Sequence, residues 1–165
     1  MRRRDLILAI AGAGILMRAN AAQQDQWLIT PEEYAREVEK RGIAGSNGRT
    51  AEDEYWSLAP KAGPGSPQIV VRSPDIANVI RGPVKLDVQF IAAGGSQIDL
   101  ASFKVKYGML AIDVTERVKR HATLTPGGIT AELSSLPNGK HSFELQIGDS
   151  LQRISRQRIR CEVGS

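Results

Sequence analysis

His141 and Cys161 are the side chains in this 165-residue chain best suited to nucleophilic chemistry. If the last two strands pair as a hairpin with inward residues opposite inward residues, one register sets Phe143 against Ile159 and His141 against Cys161. An imidazole beside a thiol can take its proton. A working nucleophile also needs a third group to orient the base, and donors for a developing oxyanion. No segment supplies either, so the pair reads as an edge histidine beside a small buried apolar residue. His121, in Lys119-Arg120-His121, does not combine with His141 into a zinc site, because neither spacing nor ligand count fits. Asp99, Asp113 and Asp149 fall near strand ends. Clustered loop carboxylates could hold calcium, but no Asp-x-Asp-x-Asp run occurs, and single aspartates commonly cap turns. Phosphate loops, dinucleotide fingerprints and serine elbows are absent from the sequence. The expectation is a protein with no catalytic, cofactor-binding or metal-binding residues, and not an enzyme.

Binding chemistry is better represented. Arg153, Arg156, Arg158 and Arg160 lie in the last segment, and the final three share one face of a strand, about 7 Å apart. Such a face suits a polyanion or an acidic cell-envelope polymer. It also suits cross-strand pairing with Glu144 and Gln146, and protection of a sheet edge. In the register above Arg158 faces Glu144, which leaves Arg156 and Arg160 less neutralised. Tyr55 and Trp56 interrupt a polar stretch with apolar bulk, and are expected to plug into the domain or to serve a partner. The candidate partner-binding residues are therefore Arg156, Arg158, Arg160, Tyr55 and Trp56.

The net charge of +4 belongs to the N-terminus. Met1-Arg2-Arg3-Arg4 is a basic run, Leu6 to Met17 is apolar, and Ala19-Asn20-Ala21 is a small-x-small cleavage site. That pattern is a secretory signal peptide over 1–21, too short and glycine-rich for a membrane span. Taking its four arginines and one aspartate away from 22 basic and 18 acidic residues leaves 18 and 17. A nucleic-acid partner suggested by charge therefore loses its support. The remaining 144 residues, 165 less 21, suit one domain. One cysteine allows no intramolecular disulfide, although an exposed thiol could form an intermolecular one. The expected location is periplasmic or secreted, with no transmembrane segment after cleavage. Arg3-Arg4-Asp5-Leu6-Ile7 resembles a twin-arginine export signal, and the diluted apolar region and Arg18 fit that route; the general secretory route remains open.

Behind the signal, Thr30, Pro31 and Glu33 form a capping box with proline at the first helical position, predicting a helix over 31–41. Ile29 and Tyr34 are spaced for a hydrophobic staple, and Gly42 is a natural residue to follow the end. The apolar face is thin, limited to Tyr34, Val38 and Ala35, so the helix is expected to dock weakly on the domain's surface, the alternative being a partner-binding element. Residues 43–67 read as irregular linker. From Gln68 the period becomes two. Strands are expected at Ile69–Val71, Val84–Phe90, Phe103–Tyr107, Leu110–Val114, Ala122–Leu124, Ile129–Leu133, His141–Ile147 and Ile154–Val163. A helical turn capped by Thr115 interrupts them.

Short strands with turns every eight to twelve residues indicate an all-β, antiparallel sandwich of about seven strands. Gly82-Pro83-Val84-Lys85-Leu86-Asp87-Val88 and Leu136-Pro137-Asn138-Gly139-Lys140-His141, continuing through Phe143-Glu144-Leu145 to Asp149, resemble bacterial immunoglobulin-like modules of the fibronectin type III kind. The resemblance covers about Pro67 to Val163 and implies a fold, not an activity. The organisation expected is a signal peptide over 1–21, an N-terminal extension over 22–66 and a β-sandwich over 67–165. The function expected is a non-catalytic exported module binding a protein or cell-envelope partner. The alternatives are a carbohydrate-binding module using exposed aromatics, and a non-catalytic companion subunit of an exported enzyme.

Overall fold

The computed structural model describes residues 27–42, 50–58, 62–74, 78–133 and 136–164. The signal peptide, its cleavage site and its twin-arginine-like run lie outside the described residues. Among them are three helices: α1 (Pro31–Arg41), α2 (Ala51–Ser57) and α3 (Thr115–Arg120). The strands are β1 (Gln68–Ser73), β2 (Val79–Arg81), β3 (Val84–Ile91), β4 (Ile98–Tyr107), β5 (Ile112–Asp113), β6 (Ala122–Thr125), β7 (Gly128–Leu133), β8 (Gly139–Asp149) and β9 (Ile154–Gly164).

The strands form two sheets, one ordered β1-β3-β7-β6 and the other β2-β9-β8-β4-β5. Alternation decides which residues face inward. In β3, Val84, Leu86, Val88 and Phe90 are buried while Lys85 points out. In β9, Ile159, Cys161 and Val163 are buried while Arg160 and Glu162 are exposed. The inward rows of both sheets belong to one apolar cluster, and Phe90 of one meets Phe103 of the other with ring centroids 6.1 Å apart. Gly128, at φ 153°, closes the β6–β7 hairpin, and its missing side chain lets the Val88 carbonyl of β3 approach.

Three expectations about the strands and the linker are corrected. The sheets are not wholly antiparallel: β2 pairs in parallel with β9, with Val79 opposite Glu162. This three-residue edge strand is too short to leave a periodic signal. The fourth expected strand shrinks to Ile112–Asp113, because Gly108 at φ 62° and Ala111 at φ 49° hold a turn before it. The third correction concerns residues 43–67, which contain the helix α2. Thr50 caps it by accepting from the Asp53 amide, and Glu52, Asp53 and Glu54 occupy its first turn.

The capping box at α1 is present on both sides, Thr30 Oγ1 accepting from the Glu33 amide and Glu33 accepting from the Thr30 amide. Gly42 ends the helix at φ −70°, a right-handed conformation any residue adopts, so it is not a left-handed cap. At α3 the N-cap is Val114 and no side chain caps the helix; the Thr115 hydroxyl is bonded to Val105 of β4 instead.

Candidate functional site

The expected register is present. His141 lies opposite Cys161, Phe143 opposite Ile159 and Glu144 opposite Arg158. The pair is nonetheless built for packing. His141 is buried, with Nε2 2.8 Å from the Pro137 carbonyl and Nδ1 3.0 Å from the Tyr107 hydroxyl. A carbonyl only accepts, so Nε2 carries the proton and Nδ1 accepts from Tyr107. Rings of Tyr34, Tyr107 and Phe143 surround the imidazole. Burial lowers the His141 pKa, the Pro137 bond opposes that, and Arg41 lowers it further. Burial pushes the Cys161 thiol up to about 11. An activated thiol needs both shifts reversed, a lowered thiol beside a raised imidazole.

The aspartates act at turns. Asp149 accepts from the Leu151 and Arg153 amides, the Arg153 guanidinium and the Ser96 hydroxyl, which hold its carboxyl down to about 2. Asp113 accepts from the Thr115 amide and Asp99 from the Ala101 amide. Among the described residues no three His, Cys, Asp or Glu side chains gather as a metal set. Arg153 is spent on Asp149 and on the Ala93 carbonyl, so it leaves the arginine row. His121 ends α3 in solvent, bonded through its amide to Val118.

The charged and aromatic side chains gather on the outer face of β9 and on the two N-terminal helices. α1 does not dock through Tyr34, Val38 and Ala35 as an apolar stripe: Val38 is 43% exposed and Ala35 is exposed too. Its buried side chains are two carboxylates, Glu33 and Glu37. Glu37 is fully buried and accepts from the Met109 and Leu110 amides at 2.8 and 3.2 Å. Its carboxyl fills the place where a Cβ on Gly108 would stand. Glu33 receives both guanidinium nitrogens of Arg117, at 2.7 and 2.9 Å. That fork holds its carboxyl below the usual range against the opposing effect of burial, which is the largest single influence. The Tyr34 hydroxyl occupies the space beside Gly139, whose φ is 130°. Leu28 and Ile29, just before the cap, enter the core.

α2 lies over the arginine row. Arg158 is paired with Glu52 and sits over the Trp56 ring, 4.5 Å from its centroid. Arg160 reaches Asp53 at 3.2 Å, and Arg41 of α1 reaches Glu52 at 2.9 Å. Thr50 and Arg160 hold the Asp53 carboxyl below its ordinary value, the Thr50 bond contributing most. Arg156 bonds Gln146 at 3.0 Å and approaches Glu144 at 3.9 Å. Arg158 thus passes over its cross-strand neighbour Glu144 for a helix about a hundred residues earlier, and Glu144 serves Arg156 on the diagonal. Tyr55 and Trp56 do not plug into the core. Tyr55 is 37% exposed, and Trp56 is half-buried, edge-on to Tyr55. Arg158 covers one face of the Trp56 ring.

Between α1, α2 and one end of the β8–β9 pair is an open cleft of about 330 Å³. Arg41, Lys140 and Arg160 line it against Glu52, Asp53 and Glu162. His141 and Cys161 are beneath it.

No protein-family model matches this chain, and no curated protein matches it. Among solved structures, the chain is similar to a crystal structure described as an engineered protein, at 14% identity and a TM-score of 0.41. The match covers 62% of this chain and 21% of the other, so this chain corresponds to about a fifth of that structure's length. No helix among the described residues is long and apolar enough to cross a membrane.

Proposed function

We propose that the protein is an exported, non-catalytic module of the immunoglobulin-like, fibronectin type III-like kind, which binds a protein partner through the face formed by β9 and α2. One observation carries this reading. The chain's clustered arginines and its Tyr55–Trp56 pair converge on one outer face, although they are about a hundred residues apart in sequence. Aromatic and arginine side chains are the types that dominate protein interfaces. The burial of His141 and Cys161, at the floor of the cleft, supports a packing role for the two residues best suited to catalysis. The N-terminal signal supports a periplasmic or secreted location, by the twin-arginine or general secretory route.

A photo-crosslinking amino acid placed at Tyr55 or at Arg156, in cells exporting the chain, tests the reading. The same residue at Thr123 on β6, exposed on the other sheet, is the control. Discrete protein adducts from positions 55 and 156 and none from 123 are expected. Equal adducts from all three positions, or none from 55 and 156, would overturn the proposal.

A further inference from the structure

The acidic helix α2 rests on the arginine row with the features of a bound ligand. It has seven residues, too few to be stable alone, and none of them is buried. It is held by charge: Glu52 to Arg41 and Arg158, Asp53 to Arg160, and the Trp56 ring under Arg158. Leu58 at its end is 78% exposed.

The surface beneath is incompletely satisfied. Arg158 Nε is buried without a hydrogen-bond partner, and so is Trp56 Nε1. Arg41 Nε lies 2.9 Å from Glu52 yet out of line for a hydrogen bond. Buried donors left unmet cost more than a surface ion pair returns. The cleft beside the helix is also lined by Lys140. Lifting Glu52 and Asp53 away would leave Arg41, Lys140, Arg158 and Arg160 with three carboxylates beside them: Glu37 at 3.7 Å from Arg41, Glu144 opposite Arg158, already approached by Arg156, and Glu162 opposite Lys140. That surface has surplus positive charge and spare donors.

We infer that α2 is an internal pseudo-ligand, a strap occupying the site for an acidic, tryptophan-bearing segment of a partner protein. The site is formed by Arg41, Lys140, Arg158 and Arg160. The inference rests on the binding-module reading and narrows it: the arginines of that face make the contact, and Trp56, which covers Arg158 in the resting chain, gives way to the partner's indole. The partner segment carries adjacent carboxylates and, one helical turn on, an indole to lie under Arg158, as Glu52, Asp53 and Trp56 do. Because the strap belongs to the same chain, its docking is intramolecular, and an outside segment competes with a locally concentrated one. The free site is thus a minor state, and weakening the strap strengthens outside binding by the population it releases.

The probe is a fluorescein-labelled peptide of the sequence Thr50–Leu58, followed by anisotropy against the chain purified after export. The loosened chain carries Glu52→Gln, Asp53→Asn and Trp56→Ala. It is expected to bind the peptide at least tenfold more tightly than the unaltered chain, and more weakly as salt rises. Adding Arg158→Ala and Arg160→Ala to the loosened chain is expected to abolish binding, with circular dichroism and Tm showing that the sheets persist. Equal binding by loosened and unaltered chains overturns the inference, as does undiminished binding of a peptide with its acids replaced by amides. Polyphosphate binding to the loosened chain with no peptide binding also overturns it, in favour of a polymer ligand. If crosslinks form from position 55 but the peptide fails, the module reading stands and the strap falls. If the peptide binds and no crosslink forms, the site stands and its use in the envelope falls.

Discussion

Helices α1 and α2 begin alike. Each follows a capping threonine, carries acidic residues in its first turn and rests its carboxylates on the β body. Their energetics differ because of what surrounds the carboxylates. Glu37 of α1 is fully buried between two backbone amides, over a glycine that makes room for it. In α2, Glu52 meets Arg41 and Arg158 in a shielded contact that leaves Arg158 Nε without a partner, Asp53 meets Arg160 in solvent, and no residue of the helix is buried as a whole. A buried carboxylate with fixed amide donors costs several kcal/mol to disturb, whereas an exposed pair such as Asp53–Arg160 contributes about 0–1 kcal/mol and the shielded pair gives back much of its attraction as desolvation. The same residue type therefore makes α1 part of the folded body and α2 an exchangeable cover.

The largest effect is expected at Glu37. Glu37→Ala leaves the Met109 and Leu110 amides buried without acceptors, and should lower stability by about 3–5 kcal/mol in urea denaturation. A loss below about 1 kcal/mol would break the distinction drawn here. Gly108→Ala comes next, at about 2–4 kcal/mol, because it adds a Cβ where the Glu37 carboxyl sits and strains a residue at φ 62°. Arg117→Ala removes the fork on Glu33 and should cost about 1–2 kcal/mol.

The pH response sharpens the same contrast, since His141 sits under Tyr34 of α1. Burial lowers its pKa below the ordinary 6.5, so the unfolded chain binds its proton first as pH falls. Stability from this group is complete above about pH 6.5 and declines below it, with a slope of up to about 1.4 kcal/mol per pH unit. His141→Gln should flatten the stability profile just below pH 6.5. The smallest effect belongs to α2: Glu52→Gln with Asp53→Asn should leave the urea midpoint unchanged while loosening that helix.

Where local chemistry decides structure, the sequence was readable. Thr30, Pro31 and Glu33 mark the first helix to its observed ends, and strict alternation in the last two strands sets His141 against Cys161. The inward row of β3 was equally plain. Docking was not readable. Glu33 and Glu37 look like solvated helix residues until Arg117, Gly108 and the turn after β4 are brought to them by the fold. A helix carrying one capping threonine amid Gly-rich linker gave no periodic signal, so α2 was missed. With it went the partners of Arg158 and Arg160, because an ion pair spanning about a hundred residues leaves no trace in local pattern. The parallel β2 was missed for the same reason of length.

Hydrogen–deuterium exchange of the purified chain, read peptide by peptide at low and high salt, tests the central contrast most directly. The account predicts that amides of Glu33–Arg41 exchange as slowly as those of β8, at either salt, because opening α1 exposes Glu37 and the core residues Leu28 and Ile29. It predicts that the amides of α2 exchange orders of magnitude faster, and faster still in high salt as their ion pairs are screened. Protection of α2 equal to that of α1 and indifferent to salt would contradict it, and would make the cover over the arginine row a permanent part of the fold.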